Sequence, residues 1–506
     1  MKKIQIRSLI IPVILIMILG SCKKSFVEVE PKGSFITDTY YSNGSQAYSA
    51  LVGAYDATRK NSGGFENMIT FFNAGSDEML AGGGGASDGQ GIHDFDDYRI
   101  NALSMPVSYW SDHYQGVFRT NSLLAKIPAT VMDAGLKARF TAEAKTIRAY
   151  SYFNLVRMFK NIPLILEVLL SSNMYNVTQA APTDVYAQIE KDLTEAIPDL
   201  PATISGAALA TEAGRFTQGS AKALLGKVYL WEGKNDLAAA QFADVNGVPG
   251  GVSQYGYQLL TNYSDLWVAS NKFNTESIIE ISHSRQGALG DWSLWGSGRD
   301  VSNTVNQMVG PRTYSRSSGS PAPDLKSGWS FNPFTQAFYD LIKLDPRFGA
   351  TVFDMKAYDA AGQASYVPGY DNTGYFLNKY IGRTADAATV GSVELNFQQD
   401  SYVMRLADTY LMEAEALGST GPRAQALLDA VRARVGLPSV PVSLTAIKNE
   451  RRFEFAGEGI RWFDLVRWGD APSVLAFKGF TAGKNEILPI PADELKGTRL
   501  VQNPLY

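Results

Sequence analysis

Apolar residues recur three and four positions apart over most of this chain, and that period predicts helices. One stripe, Tyr41, Ala47, Ala50, Leu51, Ala54 and Tyr55, places a first helix over Thr37 to Lys60 with Asp38 as its cap. Val107, Trp110, Tyr114, Val117, Phe118 and Leu124 mark a helix from Pro106 to Ile127. Phe140, Ala144, Ile147, Phe153, Leu155 and Phe159 mark another from Asp133 to Phe159, and a further one runs from a cap at Thr183 or Asp184 to Ile197. Regular helices joined by short turns suggest a helical repeat. Thr217 to Val245 makes the repeat explicit. Leu225-Gly226-x-x-Tyr229, Gly233 and Ala238-x-x-x-Phe242 follow tetratricopeptide spacing, with Lys222 where that pattern has Trp. Small residues there let two helices approach, and large ones fill the groove between repeats. Helices are also expected at Thr335 to Leu344, 400–417, 421–435, 443–456 and 460–468. Candidate units pair 106–127 with 133–159, the helix ending at Ile197 with the one starting at Thr217, and 400–417 with 421–435. The pair 443–456 and 460–468 closes the array.

The helical period fades in two places. Between about 250 and 395, Gly, Ser, Pro and aromatic residues rise, and Tyr257–Leu260 and Ser277–Ile281 read as short extended pieces. Residues 285–330 carry Trp292, Trp295, Tyr314 and Trp329 among Gly and Ser. Long irregular segments in compact proteins are usually functional or disordered, and so many tryptophans argue against disorder. The other place follows Asp77-Glu78: four glycines, Gly82 to Gly85, then Asp88, His93, Asp94, Asp96 and Asp97. A phosphate loop would need Gly-Lys-Ser/Thr, which does not follow. A calcium loop would need Asp or Asn at alternate positions and Glu at the twelfth, and the spacing is wrong. The residues alone read as a surface loop.

Ile447 to Asp470 departs from simple amphipathicity. Two short helices meet at Gly457-Glu458-Gly459, and the second is apolar almost all round: Trp462, Phe463, Leu465, Val466, Trp468. Arg461, Asp464 and Arg467 recur every third residue and can pair in sequence. Glu450, Arg451, Arg452, Glu454 and Glu458 add charges of both signs. Charges among so many aromatics need partners, because desolvation penalises them otherwise. A buried ion-pair network holding two helices in register accounts for them better than paired catalytic carboxylates do. The stretch also resembles the C-terminal signature of the SusD/RagB family of bacterial outer-membrane lipoproteins: Glu450-Arg451-Arg452, Glu454-Phe455, Glu458-Gly459, Arg461, Asp464-Leu465 and Arg467-Trp468. Phe455 stands where Leu is usual. In that family the segment is structural.

Composition narrows the class. The chain has 506 residues, 45% of them aliphatic or aromatic, enough for one large core or two to three smaller ones. Net charge is −4, and without Lys2, Lys3 and Arg7 it leaves 43 basic and 50 acidic residues, a net −7. That balance argues against nucleic acid as a partner. The single cysteine, Cys22, follows a positive n-region, an apolar run from Leu9 to Leu19, and Leu19-Gly20-Ser21. The run is of signal-peptide length and short for a membrane span. This resembles a bacterial lipobox, in which the cysteine is acylated and becomes the mature N-terminus. The expectation is a signal peptide over 1–21, a lipidated tether over 22–36, and a cell-surface lipoprotein of the outer membrane anchored through Cys22.

The family resemblance extends along the chain: Arg148 and Tyr152-Phe153 before Ile162-Pro163-Leu164, then Leu488-Pro489-Ile490-Pro491 and Leu500 to Pro504. It implies a mainly α protein with one SusD-like domain over 37–506. A tetratricopeptide-like helical-repeat scaffold would occupy about 37–60, 100–250 and 396–470. An irregular loop-rich lobe with short strands, about 61–99 and 251–395, would carry the ligand. It implies further that the protein captures oligosaccharides and passes them to a SusC-like TonB-dependent transporter. Oligopeptide binding within the same uptake system and a surface glycoside hydrolase are the alternatives. His93, His113 and His283 lack metal-ligand spacing, and no nucleophile elbow or catalytic cysteine is present, so an enzyme, a cofactor and a metal are not expected. Sugars stack C–H faces on aromatic rings and need planar donors and acceptors, on loops held by a rigid scaffold. The candidate ligand-binding residues are accordingly Asp77, Asp96, Tyr98 and Arg99 in the first irregular stretch, and Trp292, Trp295, Tyr314 and Trp329 in the second.

Overall fold

In the structure, a computed structural model that describes residues 41–170, 172–285, 303–389, 392 and 395–506, the periodic stripes fold as helices. The signal peptide, the tether and Cys22 lie outside the described residues, as do Trp292 and Trp295. The first helix, α1, is Gly44–Tyr55, shorter than its stripe. The Asn43 side chain accepts from the Gln46 amide at 3.1 Å and caps it, and a 3-10 turn over Asp56–Asn61 takes its last part. The cap expected at Asp38 lies outside the described residues. In order follow α2 Met68–Ala74, α3 Gln90–Asp96, α4 Ser108–Lys126, α5 Ala134–Phe159, α6 Pro182–Ala196, α7 Gln218–Trp231, α8 Asn235–Asn246, α9 Gln336–Ile342, α10 Leu406–Ala416, α11 Gly421–Arg434, α12 Leu444–Glu454 and α13 Arg461–Arg467. Asp133, Thr335 and Ser443 cap α5, α9 and α12, and Thr217 with Ser220 forms a capping box on α7. α6 starts instead on Pro182, whose fixed φ suits a first helical turn.

Besides several α-helices of four to six residues, Met355–Ala360 the longest of them, there are three two-stranded antiparallel sheets among the described residues: β1 Ser277–Ile281 with β6 Ser401–Arg405, β2 Arg312–Arg316 with β4 Ala364–Val367, and β3 Val352–Asp354 with β5 Tyr375–Leu377. Two sequence expectations change here. Residues 401–405 are strand rather than the start of a helix; Glu280 lies opposite Tyr402, and helix begins only at Leu406. Tyr257–Leu260 forms no strand; a single backbone bond, from the Gln258 amide to the Thr275 carbonyl at 2.8 Å, ties it to the neighbouring chain.

The helices stack in sequence, α4 on α5, α5 on α6, α6 on α7 and α7 on α8. The next neighbour of α8 is α10, although the chain between them leaves the array for residues 247–405. Asn246 at the end of α8 bonds Thr409 and Glu413 of α10 (2.6 and 2.7 Å), so the stack continues across that excursion. α10 then packs on α11 and α12. The tetratricopeptide-like contact is direct: a Cβ on Gly226 would stand 2.8 Å from the Phe242 ring, so glycine sets the α7–α8 approach. Phe118, which the stripe counts as apolar face, is 54% exposed instead. The aromatic core joins α2, α3 and α13: Phe71 stacks on Phe95 at 4.4 Å, and Phe72 meets Phe463 at 4.3 Å beside buried Trp462.

The charges of 447–470 pair across elements. Arg405 reaches Glu276 (2.9 Å), Glu458 (2.8 Å) and Glu454; Arg347 reaches Glu450 (2.6 Å) and Glu454 (2.9 Å); Lys379 reaches Glu458 (2.8 Å). Arg434 adds Glu276 and Glu454. All these side chains are buried. Burial by itself would raise the Glu454 carboxyl, but the guanidiniums of Arg434, Arg405 and Arg347 hold it well below the usual range. A second cluster joins Arg451 to Asp408 and Asp464, both at 2.7 Å. Pairing within α13 is only partly as expected. Arg467 does bond Asp464 (3.1 Å), whereas Arg461 turns away to Asp77 (2.8 Å) on the loop after α2.

Candidate functional site

The two irregular stretches meet. Isolated bridges join Met79 to Phe334 and Gly82 to Phe331, and the Gly83 amide donates to the Ser330 carbonyl at 2.9 Å. A third loop closes on the other side, where the Tyr370 amide donates to the Gly83 carbonyl at 2.9 Å. The glycines serve this approach. At Gly82, φ is +71° and a Cβ would fall 2.3 Å from the Ser330 oxygen; at Gly369 it would fall 2.6 Å from the Gly83 oxygen. The glycine run is therefore a close-packed seam between three backbones.

Trp329, Phe65, Arg312, Asp88 and Tyr370 surround this seam. Trp329 is partly buried, its ring 6.1 Å from Phe65, which meets Phe331 edge-on at 5.3 Å. Arg312 donates from Nη1 to the Trp329 carbonyl (3.2 Å) and stands 4.0 Å from the Asp88 carboxylate; both side chains remain more than a third exposed. The Asp88 Oδ2 accepts from the Gly84 amide at 2.7 Å. Tyr370 is 39% exposed and lies edge-on to buried His93 at 5.2 Å. The face thus offers two rings with planar groups of both charges beside them. That combination suits a ligand with apolar C–H faces and hydroxyls.

The expected residues divide by environment. Asp77 binds Arg461 at 2.8 Å and Arg452 at 2.7 Å, tying the first loop to α12 and α13. Asp96 accepts from Lys478 and from the Ala81 amide (2.8 Å). The Tyr98 hydroxyl donates to the Gly75 carbonyl, and its ring packs on Phe95 and Phe480. The Tyr314 hydroxyl donates to Pro323 O (2.6 Å), and its ring joins a small core with Phe353, Phe376 and Ile381. Those four side chains are buried and serve the fold around the face. Arg99 is open to solvent and pairs with Asp97 at 2.6 Å. Trp329 is the candidate that borders the seam. Asp88 was visible in the sequence as the acid after the glycine run. Phe65, Arg312 and Tyr370 carried no comparable signal, because their role depends on loops that meet only in three dimensions.

Two roomier cavities among the described residues lie elsewhere. One of about 740 Å³ is lined by Tyr48, Val52, Arg215 and His283, and one of about 510 Å³ by Tyr255 and Tyr257; Glu280 lines both. Several of their polar groups are held by residues outside the linings: Tyr55 and Arg215 by Glu143, both at 2.6 Å, and His283 by Ser62 at 2.7 Å. Among the described residues, no group of three or more His, Cys, Asp or Glu side chains is placed to hold a metal, and no helix is long and apolar enough to cross a membrane. Burial takes His113 down to about 4, so it is a neutral core residue near neutral pH.

Comparison with known proteins gives a consistent set of likenesses. The model of the SusD family matches residues 336–483, and a family described as starch-binding associating with outer membrane matches 40–230. A solved laminarin binding SusD-like protein is 59% identical, covers 92% of this chain and 100% of its own, and superposes with a TM-score of 0.89. Surface glycan-binding protein A from Bacteroides thetaiotaomicron in complex with laminarihexaose is 25% identical, with 91% and 99% of the two chains covered and a TM-score of 0.79. SusD-like protein P25 of Formosa agariphila is 24% identical over 97% of each chain.

Proposed function

This chain belongs to the SusD family, and we propose that it binds oligosaccharides of the laminarin class at the cell surface on the face around Trp329. The observation that supports this reading most is the 59% identity, over nearly the whole chain, to a laminarin binding protein. The chemistry agrees: Trp329 and Tyr370 supply rings, and Arg312 and Asp88, 4.0 Å apart, supply donors and acceptors beside them. On this reading the helical array is a rigid support, and the loops of 61–99 and 251–395 form the binding lobe. Glycan capture without turnover is the activity assigned.

Calorimetric titration with laminarihexaose tests the assignment. Trp329→Ala weakens binding by about 1–3 kcal/mol, the size of a lost ring stack, with melting unchanged. Wild-type protein that ignores laminarihexaose and other glycans overturns the ligand class. Intact affinity in Trp329→Ala and Tyr370→Ala moves the site.

Residues 1–21 are read as a signal peptide and Cys22 as the acylated anchor to the outer membrane. Cys22→Ala is then released from membranes and takes up no palmitate analogue. The partner read from the family is a SusC-like TonB-dependent transporter. Pull-down from native membranes in mild detergent recovers it with this protein; recovery of this protein always alone removes that partner.

A further inference from the structure

We propose that a cavity beneath α5 and α7 is a binding site for one monovalent anion of chloride size. The cavity, about 50 Å³, lies where these two scaffold helices meet β6 and the Glu458–Ile460 turn. That volume holds a single small ion or one to two waters. Its polar lining is rich in donors: Tyr150, Asn154, Arg157 and Lys227.

Two of these side chains are unsatisfied. Arg157 donates from Nη2 to Asn154 Oδ1 at 2.5 Å, which turns the Asn154 amide nitrogen outward. The Asn154 Nδ2 and the Arg157 Nε are buried and have no hydrogen-bond partner. Asn154 itself is 1% exposed. Buried donors without acceptors are strongly disfavoured, so an occupant of the cavity is expected to accept from them.

Charge decides between an anion and water. Among the described residues, Arg157 has no carboxylate within ion-pair distance; the rings of Phe153 and Phe463 cover its guanidinium at 4.4 and 4.3 Å. Lys227 bonds Asp408 at 3.1 Å, but Asp408 also serves Arg451 at 2.7 Å. Arg451 and Arg467 share Asp464, and Arg467 also holds Glu415. The cluster therefore sets four cations, Arg157, Lys227, Arg451 and Arg467, against three carboxylates, Asp408, Asp464 and Glu415. Glu458 also lines the cavity, but its oxygens accept from Lys379 and Arg405. Asn61 also lines the cavity, and its amide nitrogen donates to Ser401 and Tyr402. Burial pulls the Arg157 guanidinium down to about 10 and lowers the Lys227 ammonium, and Arg157 lowers Lys227 further. Two like charges facing one polar space lose this strain when an anion sits between them.

The full chain is unfolded thermally at constant ionic strength, with sodium gluconate replaced stepwise by sodium chloride or bromide. The melting temperature rises with the logarithm of halide concentration, by about 3 °C at a hundredfold excess over Kd. Crystals soaked in bromide show one anomalous peak among Arg157, Asn154 and Lys227. Arg157→Gln loses the halide dependence. If that variant does not fold, the wild-type bromide map decides alone. A flat halide titration, or a cavity holding water only in bromide-soaked crystals, overturns the proposal. Laminarihexaose binding plays no part in these readouts, so either result leaves the glycan assignment separately testable.

Discussion

At the scale of single residues, the buried charges dominate. Glu454 accepts from three arginines, so Glu454→Ala leaves buried guanidiniums short of a partner and lowers stability by about 3–5 kcal/mol in denaturant unfolding. Its pH dependence has a definite sign. A carboxyl held below its ordinary value contributes stability that is present above 4.5 and is lost as pH falls toward the lowered pKa. Glu280 has the opposite sign. Burial, and then the Asp400 charge, raises it from 4.5 to about 8. Its contribution is present below 4.5 and is lost as pH rises through about 8, so melting falls between about pH 4.5 and about pH 8. Glu280→Gln, which keeps the neutral form, flattens that alkaline limb; an unchanged limb refutes the assignment. Asp77 provides a check on the binding face. Asp77→Ala strands Arg452 and Arg461 and lowers the melting temperature while laminarihexaose affinity stays within about twofold. The abundance of charge in 447–470 was legible from residue types. The partners were not, since Arg452 and Asp77 lie 375 residues apart.

At the scale of elements, the apolar period reads well where helices are long, whereas the cap expected at Thr183 or Asp184 gives way to a start on Pro182 and the one at Asp38 lies outside the described residues. α4, α5, α11 and α12 start and stop within a few residues of their stripes, α7 starts where Thr217 placed it, and in the structure Asp133, Thr217, Thr335 and Ser443 act as caps. Errors arose where two periods overlap. Tyr402, Met404 and Leu406 alternate as a strand does, and the strand pairing with β1 wins until Leu406. The α7–α8 contact supplies a test of the repeat. Gly226→Ala drives a methyl into the Phe242 ring and costs about 1–3 kcal/mol despite the better helix propensity of alanine. Thermal stability equal to wild type would show that the two helices have room to separate.

At the scale of the molecule, array and lobe unfold together. Glu276, Arg347 and Lys379 come from the excursion between α8 and α10, or its strands and loops, and they pair with Glu450, Glu454, Glu458, Arg405 and Arg434 around β6, α11 and α12. Calorimetry of the full chain therefore shows one transition, and two separated transitions refute the interlock. The sequence held the helices, the tetratricopeptide-like spacing and the family likeness, because those signals are local: a 3.6-residue period, a cap, a motif of fixed spacing. Only the tertiary structure decided that α8 continues onto α10, that the glycine run is a seam against Ser330 and Tyr370, and that most of the acids near it pair inward. Those outcomes depend on which distant backbones pack closely enough to exclude water, and neither residue type nor spacing along the chain encodes that distance.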